Sequence, residues 1–378
     1  MTAPSPTAVP TRAGVVVMST GDVRVPVYAP AAQPCPHLAD QPYQPPAGTP
    51  DLLAAIADRA GLGVGIGNVV VAPGARVAIL AALRSILTPD RREVLLPAPY
   101  WSSYPWLIEA AGGAPVALAG RVGSADLDNQ SLDAHLTDRT AAIVVNSPRN
   151  PDGAVATLDT LRELVDWAER RGVVLLADEV YRGVPLGPAA PSVLDVRPDP
   201  GERCVVVDGL SKSHALAGLR IGWTLASTTR ADAIAAICSH LVGSTCTAAQ
   251  AIAAAALTSG EGVRAGLRAA LTRNLDSTLA AVSTWPGVSA VRPAGGIFVF
   301  ADIRRWLAGP APESARREPV GWLRDRHGVQ VVDGAAFGAP GHIRLSFALP
   351  TDDLDDGLRR LGRAFAAGRA APCPEGTS

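Results

Sequence analysis

The chain has 378 residues, a formal net charge of -1 and a sequence isoelectric point near 6.6, with 48% hydrophobic and 18% charged residues. That composition supports a substantial core and excludes a chain disordered as a whole, and the charge gives no bulk electrostatic case for nucleic acid or an anionic membrane. The 34 basic residues are 33 arginines and one lysine, Lys212; a coding bias toward arginine explains the scarcity of lysine but not the place of the one that remains. The five cysteines (Cys35, Cys204, Cys238, Cys246, Cys373) form no CxxC pair and are odd in number. This argues against a disulfide framework or zinc site and predicts a cytoplasmic protein.

The opening MTAPSPTAVPTRAG lacks a basic start followed by an apolar run, so no signal peptide is expected. Residues 1–13 and 370–378, rich in Pro, Ser, Thr and Gly, are expected to fray. Thr49-Pro50 reads as an N-cap and first-turn proline opening a helix over Asp51–Ala60. Val69–Val71, Glu93–Leu96, Ala142–Val145, Val173–Leu176 and Cys204–Val207 read as buried strands, and Ala75–Leu87 and Leu158–Arg171 have helical periodicity. Such alternation predicts an α/β fold, a mostly parallel sheet covered on both faces.

Ala233 to Gly260 carries no formal charge but contains Ser239, His240 and Gln250, which is too polar for a membrane span. It reads as helix, loop and helix at a subunit interface. From about residue 286 the rhythm changes. Gly296–Phe300, Val329–Val332 and Ile343–Phe347 suggest strands, and Trp322–His327 and Asp352–Ala367 helices. The expected organisation is a large domain over 41–285 and a smaller α+β domain over 286–378, joined by the N-terminal segment 1–40. The stretch 309–319 reads as a surface loop.

Lys212 follows a predicted strand and a Gly-Leu-Ser turn. Open α/β sheets place their chemistry at the carboxyl ends of strands, and an amine desolvated there becomes a nucleophile towards an aldehyde. Arg220, eight residues on, is placed to give an anion a bidentate contact. Gly74-Ala75-Arg76 lies between a strand and a helix, where backbone N–H groups bind anions. Asp178 ends an apolar strand, a costly place for a carboxylate without a partner.

The segment Ser211-Lys212-Ser213-His214-Ala215-Leu216-Ala217-Gly218-Leu219-Arg220-Ile221-Gly222-Trp223 resembles the S-K-x-x-x-L-x-G-x-R-x-G-W motif of class I/II aminotransferases. These are fold type I enzymes that use pyridoxal 5′-phosphate. Further matches follow the family's order over about residues 20 to 350. The resemblance implies that Lys212 binds the cofactor as an internal aldimine and then moves the proton from Cα. Asp178 would pair with the pyridine nitrogen, Tyr181 and Asn150 (in Asn146-Ser147-Pro148-Arg149-Asn150-Pro151-Asp152-Gly153) with the phenolate oxygen, and Trp101 would stack on the ring. The phosphate would lie among Gly74, Ala75, Arg76, Ser211, Arg220 and Tyr43, the last from the neighbouring subunit of a homodimer. Arg344, in Arg344-Leu345-Ser346-Phe347-Ala348, would bind the substrate α-carboxylate beside Gly21 and Asn150.

The implied activity is transfer of an amino group between an α-amino acid and a 2-oxo acid, with no metal. Several positions depart from the family pattern. Asp22-Val23-Arg24 stands where Pro-Asp follows the glycine, Arg149 and Asp152 replace a frequent Asn and a usual Thr, and Gly209 replaces a Ser or Thr. These departures leave a second reading, another reaction on the same scaffold: β- or γ-elimination or replacement, decarboxylation or cyclisation. A non-catalytic sensor is a third. It would need a DNA-binding domain ahead of this fold, and the residues before Tyr43 show no helix-turn-helix pattern.

Overall fold

The computed structural model describes residues 14–25 and 42–367 apart from 62, 185 and 260; the ends expected to fray lie outside the described residues. The chain runs through β1 (Val16–Val17), α1 (Pro50–Ala60), β2 (Val69–Ala72), α2 (Ala75–Ile86), β3 (Glu93–Pro97), α3 (Tyr104–Ala110), β4 (Ala114–Leu118) and α4 (Asn129–His135). There follow β5 (Thr140–Asn146), α5 (Leu158–Arg171), β6 (Val174–Asp178), α6 (Val193–Val196), β7 (Cys204–Gly209), α7 (Leu210–Ser213) and β8 (Gly222–Leu225). Strands β2 to β8 form one sheet in the order β2-β8-β7-β6-β5-β3-β4, in which β8 alone runs antiparallel to its neighbours.

Apart from Glu93 at the start of β3, the expected strand runs are apolar at every position because both faces are covered. Leu175 shares one core with Leu52 of α1 and Leu161 of α5, whereas its neighbour Leu176 belongs to a second core with Ile79 of α2 and Leu107 of α3. Truncating a fully buried leucine such as Leu176 costs about 2–5 kcal/mol, a large share of a domain's net stability, so this sheet is a rigid base for whatever its ends carry. Helix α5 has the bounds its periodicity predicts: Thr157 caps the N–H of Thr160, and Gly172 ends it in the left-handed conformation. Thr49 does occupy the N-cap position of α1, but its side chain makes no capping bond.

The uncharged stretch falls in α8 (Thr228–Val242), a turn and α9 (Thr247–Ser259); α10 (Glu261–Ser283) follows. Among the described residues no helix is long and apolar enough to cross a membrane. The remaining elements are β9 (Ser289–Ala290), β10 (Phe298–Asp302), α11 (Arg304–Ala308), α12 (Glu313–Arg317), α13 (Pro319–His327), β11 (Val329–Gln330), β12 (Val332–Asp333), β13 (His342–Ser346) and α14 (Thr351–Ala366). A four-stranded sheet, β12-β13-β10-β9, shares its core with α14 and with Leu267, Leu271 and Leu275 of α10. Strand β1 pairs in parallel with β11, and Ser346 N–H donates to the Met18 carbonyl, so the N-terminal segment is sewn to this second unit.

Two expectations need correction. The 309–319 stretch is not a loop throughout: it contains α12, with Ala311 and Ala315 buried. Glu313 in its first turn and Arg316 and Arg317 in its last complement the helix dipole. Val329–Val332 is not one strand, because the chain changes partner at Val331, from β1 to β13.

Candidate active site

Strands β5, β6 and β7 end side by side, and a cavity of about 340 Å3 opens beyond their carboxyl ends. Its walls include Gly21, Ala75, Arg76, Trp101, Asn150, Asp178, Tyr181, Ser211, Lys212, Arg220 and Arg344, eleven of the thirteen residues expected at a site. Gly74 stands one residue outside the wall, and Tyr43 lines no part of it.

Strand β7 ends at Gly209, and the short turn of α7 lifts Lys212 into the cavity. Its Nζ donates to the Gly21 carbonyl at 2.6 Å. Burial lowers its pKa to about 8; Asp22 opposes the shift, and Arg344 and Arg220 add to it. Gly209 has a crowding reason: a Cβ there would lie 2.9 Å from the Ile221 carbonyl, so a Ser or Thr would push β7 away from β8.

At one end of the cavity, Gly74 (φ +90°, ψ 159°) turns the chain from β2 into α2 with no side chain over the helix terminus. A Cβ on Gly74 would lie 2.4 Å from Arg220 Nη2, and one on Gly222 would lie 2.3 Å from the Ala75 nitrogen. Both glycines therefore keep the guanidinium and the first helical N–H groups close together. Arg220 itself is left-handed, with φ 57°. Free helix N–H groups, a guanidinium and the Ser211 hydroxyl form a donor set suited to a dianionic phosphate.

In the middle stands Asp178, 3% exposed. Burial raises its pKa to about 6 against the pull of the Tyr104 hydroxyl, the Val180 N–H and the charge of Lys212. Tyr104 Oη donates to Asp178 Oδ2 at 2.6 Å, a contact the sequence reading missed. A cationic ring nitrogen is the partner that would favour the ionised carboxylate. Trp101 lines the same wall with the Tyr104 ring edge-on at 5.2 Å and the Arg76 guanidinium 5.0 Å from its ring centroid. Burial raises the pKa of the Tyr181 hydroxyl.

At the other end Arg344 on β13 is 4% exposed. Nη1 donates to Asn150 Oδ1 at 2.9 Å and Nη2 to the Ser19 carbonyl at 2.8 Å. Its guanidinium carbon lies 3.9 Å from the Phe298 ring centroid and 5.0 Å from that of Phe337. No carboxylate pairs with it among the described residues, its buried Nε is unbonded, and burial lowers its pKa to about 10. A desolvated guanidinium with a spare donor is prepared for an incoming carboxylate.

The charge of Arg149 does not reach the cavity. Arg149 pairs with Asp152, so the two departures form one buried ion pair. Arg24 likewise turns outward, 3.7 Å from Asp353 at the surface, and of the unusual N-terminal residues only Asp22 lines the wall. Tyr43 is 93% exposed. The segment after it is fastened to α9, where Gln250 accepts from Thr49 N–H and donates to the Thr245 carbonyl. Leu241 and Val242, at the end of α8, are exposed too.

Residues 25–361 match the model of the family "Aminotransferase class I and II". Aspartate aminotransferase of Streptomyces avermitilis is 32% identical over 346 residues, covering 89% of this chain and 84% of the relative. Aspartate/prephenate aminotransferase of Thermus thermophilus is 34% identical, covering 87% and 84%. Among solved structures, the aspartate aminotransferase of Rhizobium meliloti superposes with a TM-score of 0.86 at 26% identity, covering 93% of this chain and 92% of that one. The Thermus thermophilus enzyme with maleate gives 0.82 at 32% identity, covering 93% and 91%.

Proposed function

The chain belongs to the class I and II aminotransferase family, and we propose that the cavity beyond β5, β6 and β7 is where it moves an amino group between an α-amino acid and a 2-oxo acid with pyridoxal 5′-phosphate. One observation carries the reading: the only lysine of the chain and a buried arginine with no carboxylate partner among the described residues line the same cavity. When bound, the cofactor supplies an aldehyde for amines and a cationic ring that accepts the electron pair released at the substrate Cα.

The residues divide the work. The N–H groups of Ala75 and Arg76 at the turn set by Gly74, the Ser211 hydroxyl and Arg220 hold the phosphate. Trp101 flanks the ring, and Asp178, positioned by Tyr104, keeps its nitrogen protonated. Asn150 and Tyr181 bind the phenolate oxygen. Arg344 and Asn150 orient the substrate carboxylate, with the Gly21 backbone alongside. Lys212, half neutral near pH 8, is the covalent attachment point and then the base that takes the Cα proton.

Tyr43, exposed and outside its own chain's cavity, reaches the phosphate of a second copy in a homodimer, with Leu241 and Val242 buried in the same interface. A cytoplasmic location belongs to the same reading.

The purified protein should absorb in the near-visible, lose that absorbance with a donor amino acid, and after borohydride carry a pyridoxyl group on Lys212. Replacing Lys212 by Ala should lower the half-reaction by at least about 10²–10⁴-fold. A protein without bound chromophore, or an active Lys212→Ala variant, contradicts the reading.

A further inference from the structure

The Arg149–Asp152 pair sits in the turn after β5, outside the cavity wall that Asn150 lines, with side chains 8% and 2% exposed. Arg149 Nε donates to Asp152 Oδ1 at 2.9 Å while Nη2 donates to Oδ2, the two-pronged geometry a guanidinium gives a carboxylate. Neither partner is satisfied by the other alone. Arg149 Nη2 also donates to the Arg121 carbonyl at 2.9 Å, and Asp152 Oδ2 accepts the Gly123 N–H at 2.8 Å. Two side chains three residues apart therefore hold a separate stretch of chain, 121–123, from both sides of Val122.

Both things so held lead to Arg344. Asn150, inside the turn closed by the pair, accepts from Arg344 Nη1. The turn is also closed by Gly153 N–H donating to the Arg149 carbonyl at 2.7 Å. Val122 packs against the cluster of Phe300, Val332 and Phe337, and the Arg344 guanidinium carbon lies 5.0 Å from the Phe337 ring centroid. Gly123 adds a link to the second unit, since a Cβ there would be 3.2 Å from Val291.

We propose that the Arg149–Asp152 pair is a positioning device for recognition of the substrate carboxylate, holding Asn150 and Val122 so that the Arg344 fork keeps its aim. This inference rests on the reading above in which Arg344 binds that carboxylate. Neither residue touches substrate or cofactor. The pair acts on Arg344 through one hydrogen-bonded route and one packed route. A buried pair of this kind is also destabilising when broken on one side, because it leaves a lone charge in the protein interior.

The experiment compares two probes that differ only by a carboxylate, 2-methylalanine and isopropylamine, titrated against the cofactor-loaded protein by the near-visible absorbance. 2-Methylalanine has no Cα proton whose loss would confuse binding with turnover; isopropylamine keeps one, so its binding is read from the rapid absorbance change that precedes any turnover. The wild type should bind 2-methylalanine more tightly. Arg149→Met should cut that preference about tenfold while leaving isopropylamine affinity within about twofold, the signature of a misaimed fork. The double change Arg149→Asn with Asp152→Thr removes both buried charges, so it should recover melting temperature if the single variant folds poorly. It still lacks the ties to 121–123, and its carboxylate preference should stay low. A folded, cofactor-loaded variant that keeps the wild-type preference overturns the proposal and leaves the pair a staple. Arg344→Lys separates the two levels: if it too keeps the preference, the anchor reading has failed and this inference falls with it.

Discussion

The two ends of the cavity each present a guanidinium, and they are built in opposite ways. Arg220 lies at the exposed lip, one donor among several, beside backbone N–H groups fixed by the start of α2. Arg344 is buried, with two aromatic rings and two acceptors around it. At the first end the donors are mostly backbone N–H groups, which no substitution but proline can delete. At the second, binding is concentrated in one desolvated side chain, where the lower effective dielectric strengthens each contact. A phosphate that stays bound through many turnovers suits the first arrangement, and a carboxylate that must enter and leave suits the second.

The contrast breaks first at Arg344. Arg344→Met should lower kcat/KM for amino acids by about 30- to 10³-fold or more, the range of 2–5 kcal/mol for truncating one partner of a buried charged contact. Arg220→Met should weaken cofactor retention by only about fivefold, as for a solvent-exposed pair, and the difference from wild type should shrink with added salt. Equal losses in steady-state rate and cofactor dialysis would erase the distinction. Between these two in size is Gly74→Ala. Its backbone lies in a region essentially restricted to glycine, a strain of about 1–3 kcal/mol, and the new methyl would displace Arg220. Cofactor affinity should fall about tenfold with the substrate preference intact.

The smallest effect tests the middle. Asp22 raises the pKa of Lys212 against the burial that holds it near 8. Removing that charge in Asp22→Asn lowers the Lys212 pKa further, so the neutral amine persists to lower pH. The pH profile of cofactor uptake, which rises as the amine loses its proton through about 8, should shift to the acid side. Because Asp22 is exposed and screened, the gain at pH 7 should stay under about threefold. A shift to higher pH contradicts this sign.

How much of this was legible in the sequence depended on distance along the chain. Lys212 announced itself by being alone, Asp178 by being a carboxylate at the end of an apolar strand, and the βαβ alternation by strands buried on both faces. Tyr104 did not, because its role is a contact with a residue 74 positions away, and its place at the start of a helix, two residues from Trp106, suggests ordinary core packing. The partnership of Arg149 with Asp152 was hidden for a different reason. A charge three residues from an opposite charge is common on solvated turns, and only burial turns it into a clasp. The partner change at Val331 and the helix within 309–319 were missed because runs of two and five residues fall below the length at which periodicity is informative.

With Lys212 tucked against the Gly21 carbonyl, no lysine decorates the exterior. Reagents that couple through primary amines, such as glutaraldehyde or succinimidyl esters, find no lysine on the surface. Failure to cross-link two copies by such chemistry would carry no weight, so oligomeric state is better measured by sedimentation or light scattering. Conversely, an amine label that does attach to a lysine reports directly on the cavity, and its rate becomes a measure of whether that cavity is filled.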